Sequence, residues 1–209
     1  MYRVISPNVI NRLPKYLQCL RNLEEKDHTR ISSAQIADIL GTTASQVRQD
    51  LSMFGSYGAQ GYGYNVSALA NEIEKIMGIN IPHNLVIVGV GCIGKALLEH
   101  MDFAKHNYRV IAAFDVDENL IGKTINGIQI YSFDDFRSIT QNNPVDICML
   151  TVSRESARFA AQQLYGYNVP AIWNFTGEDL KLNDLDIIVR DVNLFDSLFT
   201  LTYYYEMIK

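Results

Sequence analysis

Over the first eighty residues, apolar positions recur at helical spacing in short runs, each opened by its own start signal. Leu13, Leu17, Leu20 and Leu23 fall on one face of a helix begun around Pro14, a residue favoured in a first turn. Ser32 and Gln35 form an S-x-x-Q capping box ahead of the apolar stripe Ile36, Ile39 and Leu40, and Gly41 supplies the stop. Thr43 and Gln46 repeat the box; Val47 and Leu51 then face inward, leaving Ser45, Gln46, Arg48 and Gln49 on a polar outer face. From Gly55 to Asn65 closely spaced glycines alternate with aromatic residues and lead to the β-branched Val66, the pattern of a hairpin. Residues 67–78 return to an amphipathic helix carrying Leu69, Ile73, Ile76 and Met77 and closed by Gly78.

Two helices joined by a glycine-containing turn and followed by a hairpin predict a winged helix-turn-helix whose second helix enters the major groove of DNA. The candidate DNA-facing residues are Arg30, Ser32, Ser45, Gln46, Arg48, Gln49, Tyr57, Gln60 and Tyr62. The same pattern also fits a small helical domain with no DNA partner.

Pro82 marks a change of period. Beyond it, apolar strands at 85–88, 110–114, 146–152, 171–174 and 187–189 alternate with helical segments, which predicts a parallel sheet of β-α-β units. The first strand runs directly into Gly89-Val90-Gly91-Cys92-Ile93-Gly94 and a helix follows at once. The next strand ends in an acid, Asp115, 21 positions beyond Gly94. A lone G-x-G-x-x-G is weak, but in this setting it is a dinucleotide-binding fingerprint. Gly89 permits the turn, Gly91 lets backbone approach a pyrophosphate, and Gly94 lets helix and sheet pack closely. Asp115 is expected to hold the ribose hydroxyls and to repel a 2'-phosphate, which favours NADH and NAD⁺ over NADPH. A thiol at Cys92 beside a helix N-terminus invites a redox-sensor reading, although a small filler residue explains it equally simply.

Composition bounds these readings. With 48% hydrophobic and 20% charged residues, the 209-residue chain can bury a core in each of two domains. Cysteines at 19, 92 and 148, with no C-x-x-C spacing and no signal-like N-terminus, argue against a secreted disulfide scaffold and for the cytoplasm. No apolar run approaches the roughly 20 residues of a membrane span. A net charge of -5 disfavours DNA, but residues 1–66 carry seven Lys or Arg against five Asp or Glu, whereas the remainder carries eleven against eighteen. The alternative function is an NAD-dependent oxidoreductase. Against it, His28, His83, His100 and His106 all precede the region where a substrate acid or base is expected, and they show no metal-ligand spacing. Tyr205 and Lys209 form a Y-x-x-x-K, but at the last residue of the chain this reads as coincidence.

Taken together, Arg12-Leu13-Pro14, Arg30-Ile31-Ser32-Ser33, Gln46-Val47-Arg48-Gln49-Asp50-Leu51, Phe54-Gly55, Gly61 to Val66, the Gly89 loop, Ala113 to Asp117 and Trp173-Asn174-Phe175 resemble the redox-sensing transcriptional repressor Rex family over nearly the whole chain. The resemblance implies an α/β protein: a winged-helix domain at 1–80, a Rossmann-type parallel-sheet domain at 81–192, and a domain-swapped C-terminal helix at 193–209. It further implies a homodimer that holds operator DNA when NADH is scarce and releases it when NADH binds, with no metal and no membrane. The cofactor residues implied are Gly89, Val90, Gly91, Cys92, Ile93, Gly94, Asp115, Val116, Thr151, Val152 and Asn174, and Arg12 and Asn193 stand at the interdomain switch. Three departures accompany it: Cys92-Ile93 for a common Asn-Leu, Thr151 to Arg154 in place of a Val-Pro pair, and Asn193 for an Asp that pairs with the arginine matched by Arg12. Asp191 or Asp196 stands close enough in sequence to take that pairing. The terminal segment 193–208, apolar nearly all round, reads as a helix buried on more than one side.

Overall fold

The computed structural model describes residues 5–52, 58–59, 63–183 and 185–209. They divide into two compact units, 1–81 and 82–209, with the break at Pro82.

The N-terminal unit contains α1 (Pro7–Ile10), α2 (Leu13–Glu24), β1 (Arg30–Ile31), α3 (Ser33–Leu40), α4 (Ala44–Ser52), β2 (Gly58–Ala59), β3 (Gly63–Asn65) and α5 (Val66–Met77). The three strands form an antiparallel sheet in the order β1-β3-β2. Gly63, at φ 70°, is required at the centre of this sheet, because a Cβ there would lie 2.6 Å from the carbonyl oxygen of Ile31. Leu13, Tyr16 and Leu20 of α2 bury against Ile36, Val47 and Leu51 of the helix-turn-helix and against Leu69 and Ile73 of α5. Helix α5 is therefore part of this core. Ser32 makes the full capping box, its hydroxyl accepting from the Gln35 amide and its own amide donating to the Gln35 side chain, and Gly41 ends α3 in the left-handed region. Ile39, expected in the stripe, is 56% exposed, and Ala37 takes the inward position. On α2 the buried face is Leu13, Tyr16, Cys19 and Leu20, while Leu17 and Leu23 are half-buried at its margin.

The second unit is built on a seven-stranded sheet. Its elements are β4 (His83–Val88), α6 (Cys92–His100), β5 (Tyr108–Asp115), β6 (Thr124–Ile125), β7 (Ile128–Ser132), α7 (Phe136–Thr140), β8 (Ile147–Leu150), α8 (Arg154–Gly166), β9 (Ala171–Asn174), β10 (Ile188–Asp191) and α9 (Leu194–Met207). The strand order is β10-β9-β8-β4-β5-β7-β6, all parallel except the β6–β7 hairpin at one edge. Alternation along β4 splits the core in two. Val86 and Val88 pack with Phe114, Leu150, Ala157 and Leu164, whereas Leu85 and Ile87 pack with Leu98, Ala113 and Met149. Strands β6 and β7 were not anticipated from the sequence, and β8 is shorter than the predicted 146–152 because Thr151 leaves the ladder to enter a loop.

Helix α9 departs from expectation in its surroundings. It forms where the apolar segment predicted it, yet none of its residues is buried: Leu194 is 74% exposed and Phe199 64%. No helix of the described residues is long and apolar enough to cross a membrane, and among them no group of three or more potential ligands could hold a metal.

Candidate dinucleotide cleft and DNA-facing helix

The chain leaves β4 for β5 and β7 on one side, then crosses back to β8 on the other, so the direction of winding reverses at β4. A crevice at the carboxyl ends of the strands is the geometric result, and it is where open α/β sheets hold ligands. A cleft of about 490 Å³ opens there, lined by Gly89 and Gly91 after β4, Asp115 and Val116 after β5, and Thr151 and Val152 after β8. Phe114, Phe133, Ser153, Ser156 and Phe159 complete the walls.

Two of the three glycines are sterically obligatory. Gly89 has φ 95°, and a Cβ on it would sit 2.7 Å from the Val152 amide nitrogen. A Cβ on Gly94 would meet the Gly89 carbonyl oxygen at 2.0 Å and Thr151 Oγ1 at 2.8 Å. Gly91 differs, since nothing lies within 4 Å of its missing Cβ. It lines the cleft and is itself the N-cap of α6, which has no side-chain cap. Uncapped first-turn amides together with the helix dipole make this end attractive to a phosphate.

The loop is held in shape from two sides. Thr151 Oγ1 donates to the carbonyls of Gly89 at 2.5 Å and Val88 at 3.2 Å, strapping the end of β8 to the glycine loop. Asp115 Oδ2 accepts from the Val90 amide at 2.5 Å, and its Oδ1 accepts from the amides of Val116 and Asp117. The carboxylate thus buttresses the loop and still borders the cleft. Among the other cofactor candidates, Val90 is buried, and exposed Cys92 and Ile93 lie in the first turn of α6 outside the cleft lining. Asn174 is buried at the end of β9 and commits its amide to the Glu178 carbonyl, Asp191 Oδ1 and Thr176. It organises the loop after β9 and does not line the cleft.

In the N-terminal unit α4 exposes Ser45, Arg48 and Gln49. Arg48 Nη1 donates to Ser33 Oγ at 3.1 Å across the helix-turn-helix, and Arg30 is exposed on β1. Ser32 is committed to its cap. Tyr57, Gln60 and Tyr62 lie outside the described residues. The Thr43 cap is half of the expected box: Thr43 Oγ1 accepts from the Gln46 amide, but the Gln46 side chain turns to Asp50. That buried carboxylate was missed from sequence. Arg12 grips it through Nε at 2.6 Å and Nη2 at 2.8 Å, and the Tyr16 hydroxyl donates at 2.7 Å. Burial pushes the Asp50 carboxyl upward, but the bonds from Arg12, Tyr16 and Gln46 outweigh it and hold the carboxyl below its usual range. Burial and Asp50 together push the Tyr16 hydroxyl upward. Asn193, at the far end of the chain, caps α9 through the Phe195 amide and donates to Asp196.

Residues 4–52 match the family described as "Putative DNA-binding protein N-terminus", and residues 80–177 match "CoA binding domain". Curated proteins align over most of the chain: one from Clostridium botulinum is 44% identical over 198 residues, covering 95% of this chain and 94% of its own length. Another from Clostridioides difficile is 42% identical over 199 residues, with 95% and 94% covered. Both are named redox-sensing transcriptional repressor Rex. The chain belongs to the Rex family. Solved Rex-family structures superpose over its length. RSP in complex with β-NAD⁺ and operator DNA has a TM-score of 0.90 at 38% identity, covering 98% of this chain and 94% of that one. RSP in complex with β-NADH has a TM-score of 0.88 at 35% identity, covering 99% and 100%. Rex proteins are repressors, and this membership sets the oxidoreductase alternative aside.

Proposed function

We propose that the chain is a cytoplasmic, homodimeric repressor that holds operator DNA through α4 and its wing when NADH is scarce, and releases it when NADH fills the cleft at the end of β4. The observation that carries this reading is the pairing of an uncapped, glycine-lined helix N-terminus with Asp115 across one crevice. That is the donor and acceptor set an adenosine diphosphate presents against. The solved complexes of RSP, one with β-NADH and one with β-NAD⁺ and operator DNA, support it.

The dimer is assigned to α9. Its exposed apolar length is far more than a monomer leaves in water, and the second unit offers a matching apolar cleft of about 380 Å³ lined by Leu85, Met101, Phe103, Tyr108, Ile147 and Trp173. A helix exchanged between two copies covers both. Arg12 and Asn193 are assigned to the switch, and any such use of Arg12 competes with its pair to Asp50.

The test begins with duplexes selected by the protein from a randomised pool. Their binding is then measured with no ligand, NAD⁺, NADH and NADPH. NADH is expected to weaken binding while NAD⁺ does not, and by linkage the selected duplex must lower NADH affinity by the same factor. Equal NADH affinity with and without saturating duplex refutes the mechanism. Deleting residues 193–209 is expected to give a monomer that has lost DNA binding, read on a sizing column and by titration.

A further inference from the structure

We infer that Asp50 is a positioning residue for base reading: from beneath α4 it fixes which edge of the Gln46 amide faces DNA, and so makes Gln46 a reader of adenine. The inference rests on the proposal that α4 enters the major groove. Asp50 is 1% exposed. Residues 46 and 50 stand one turn apart on the same helical face, and Gln46 Nε2 lies 2.8 Å from Asp50 Oδ1.

The direction of that bond follows from charge. Asp50 meets the bidentate guanidinium of Arg12 and the Tyr16 hydroxyl, so it is an ionised carboxylate, and an ionised carboxylate only accepts. The nitrogen of the Gln46 amide must therefore point inward and its oxygen cannot. One N–H is spent on Asp50, and what remains is the other N–H beside the carbonyl oxygen. That donor and acceptor pair is the complement of the adenine major-groove edge, where N7 accepts and the N6 amine donates. An untethered glutamine turns its amide freely and meets several bases. The tethered one is committed before DNA arrives, and less side-chain freedom is lost on binding.

The experiment selects duplexes from a randomised pool with the wild-type chain and with Gln46→Ala, Asp50→Asn and Tyr16→Phe. The wild type is expected to specify an adenine whose discrimination falls about tenfold or more in Gln46→Ala. Asp50→Asn, which can itself donate and so lets the amide turn, is expected to lose preference at that same position while keeping the others. Tyr16→Phe removes a donor without touching the tether and is expected to keep the adenine. Because Asp50→Asn could fail to fold, the tether is also read in the wild type, by hydrogen exchange of side-chain amides in NMR spectra. Gln46 is expected to exchange more slowly than exposed Gln49. The inference is overturned if Gln46→Ala selects the wild-type sequence at every position, if the position lost is not an adenine, or if Gln46 exchanges as fast as Gln49. A wild-type chain that selects no sequence overturns instead the DNA-binding proposal, and this inference with it.

Discussion

Replacing Gly94 by alanine should disable the cleft through the fold, whereas replacing Gly91 should disable it through the ligand. At Gly94 the added methyl would stand 2.0 Å from the Gly89 carbonyl oxygen and 2.8 Å from Thr151 Oγ1, both within the strap that joins β4 to β8. Backbone cannot swing aside as a flexible side chain can, so the loop must retreat by about an ångström or more. Overpacking of this kind costs roughly 1 to 3 kcal/mol. In a chain of 209 residues that lowers the melting temperature by roughly 2 to 12 °C, and the displaced amides no longer converge on a phosphate. At Gly91 the methyl meets nothing within 4 Å, and the cost is limited to a poorer N-cap, about 1 kcal/mol at most. It occupies, however, the space assigned to the pyrophosphate. Calorimetric NADH titration alongside thermal melts separates the two: Gly94→Ala loses both stability and NADH, while Gly91→Ala loses chiefly NADH. A Gly94→Ala protein with wild-type melting temperature and affinity would refute the steric argument, and wild-type affinity in Gly91→Ala would move the pyrophosphate elsewhere.

Other outcomes follow from the same geometry. Asp115→Ala should weaken NADH binding and relax discrimination against NADPH while leaving ligand-free DNA binding intact, as read by calorimetry and a gel shift; unchanged selectivity would remove Asp115 from the ribose. Arg48→Ala should cost roughly 1 to 3 kcal/mol of binding to a selected duplex with NADH binding unaffected. Because the folded-state Asp50 carboxyl is held below its unfolded value, its contribution to stability is present above the unfolded value and is lost as pH falls through the folded one. Arg12→Ala should therefore raise the midpoint of acid unfolding of the N-terminal unit, measured by circular dichroism between about pH 5 and pH 2.

What could be read ahead of the structure was whatever is local in sequence. The capping box at Ser32, the glycine stops at 41 and 78, and the fingerprint from Leu85 to Asp115 each encode their geometry within a few residues or one β-α-β unit. Asp50 was illegible because its partner Arg12 lies 38 positions away, and a carboxylate reads as surface even at a position three residues on from inward-facing Val47. That competing carboxylate is also why the Thr43 box closes only halfway. Strand β1, two residues long, is too short to show alternation. The β6–β7 hairpin did leave a signal, the dipeptide Asn126-Gly127, whose positive φ values of 47° and 80° suit a tight two-residue turn. Ser153, Ser156 and Phe159 reach the cleft only because the chain crosses back over β4, and no local pattern announces a crossing.

The acid proposed for the ribose end of the cleft is fixed by the backbone around it. Both oxygens of Asp115 are engaged by three backbone amides, and Thr151 pins the glycine loop to which one of them, that of Val90, belongs. On the proposed reading this fixed half-site contacts only the adenosine portion, which is common to the oxidised and reduced forms of the coenzyme. Its rigidity raises the affinity of both equally and shifts no conformational equilibrium. On that reading the two forms compete for one seat without being told apart there. All discrimination must be made at the nicotinamide end.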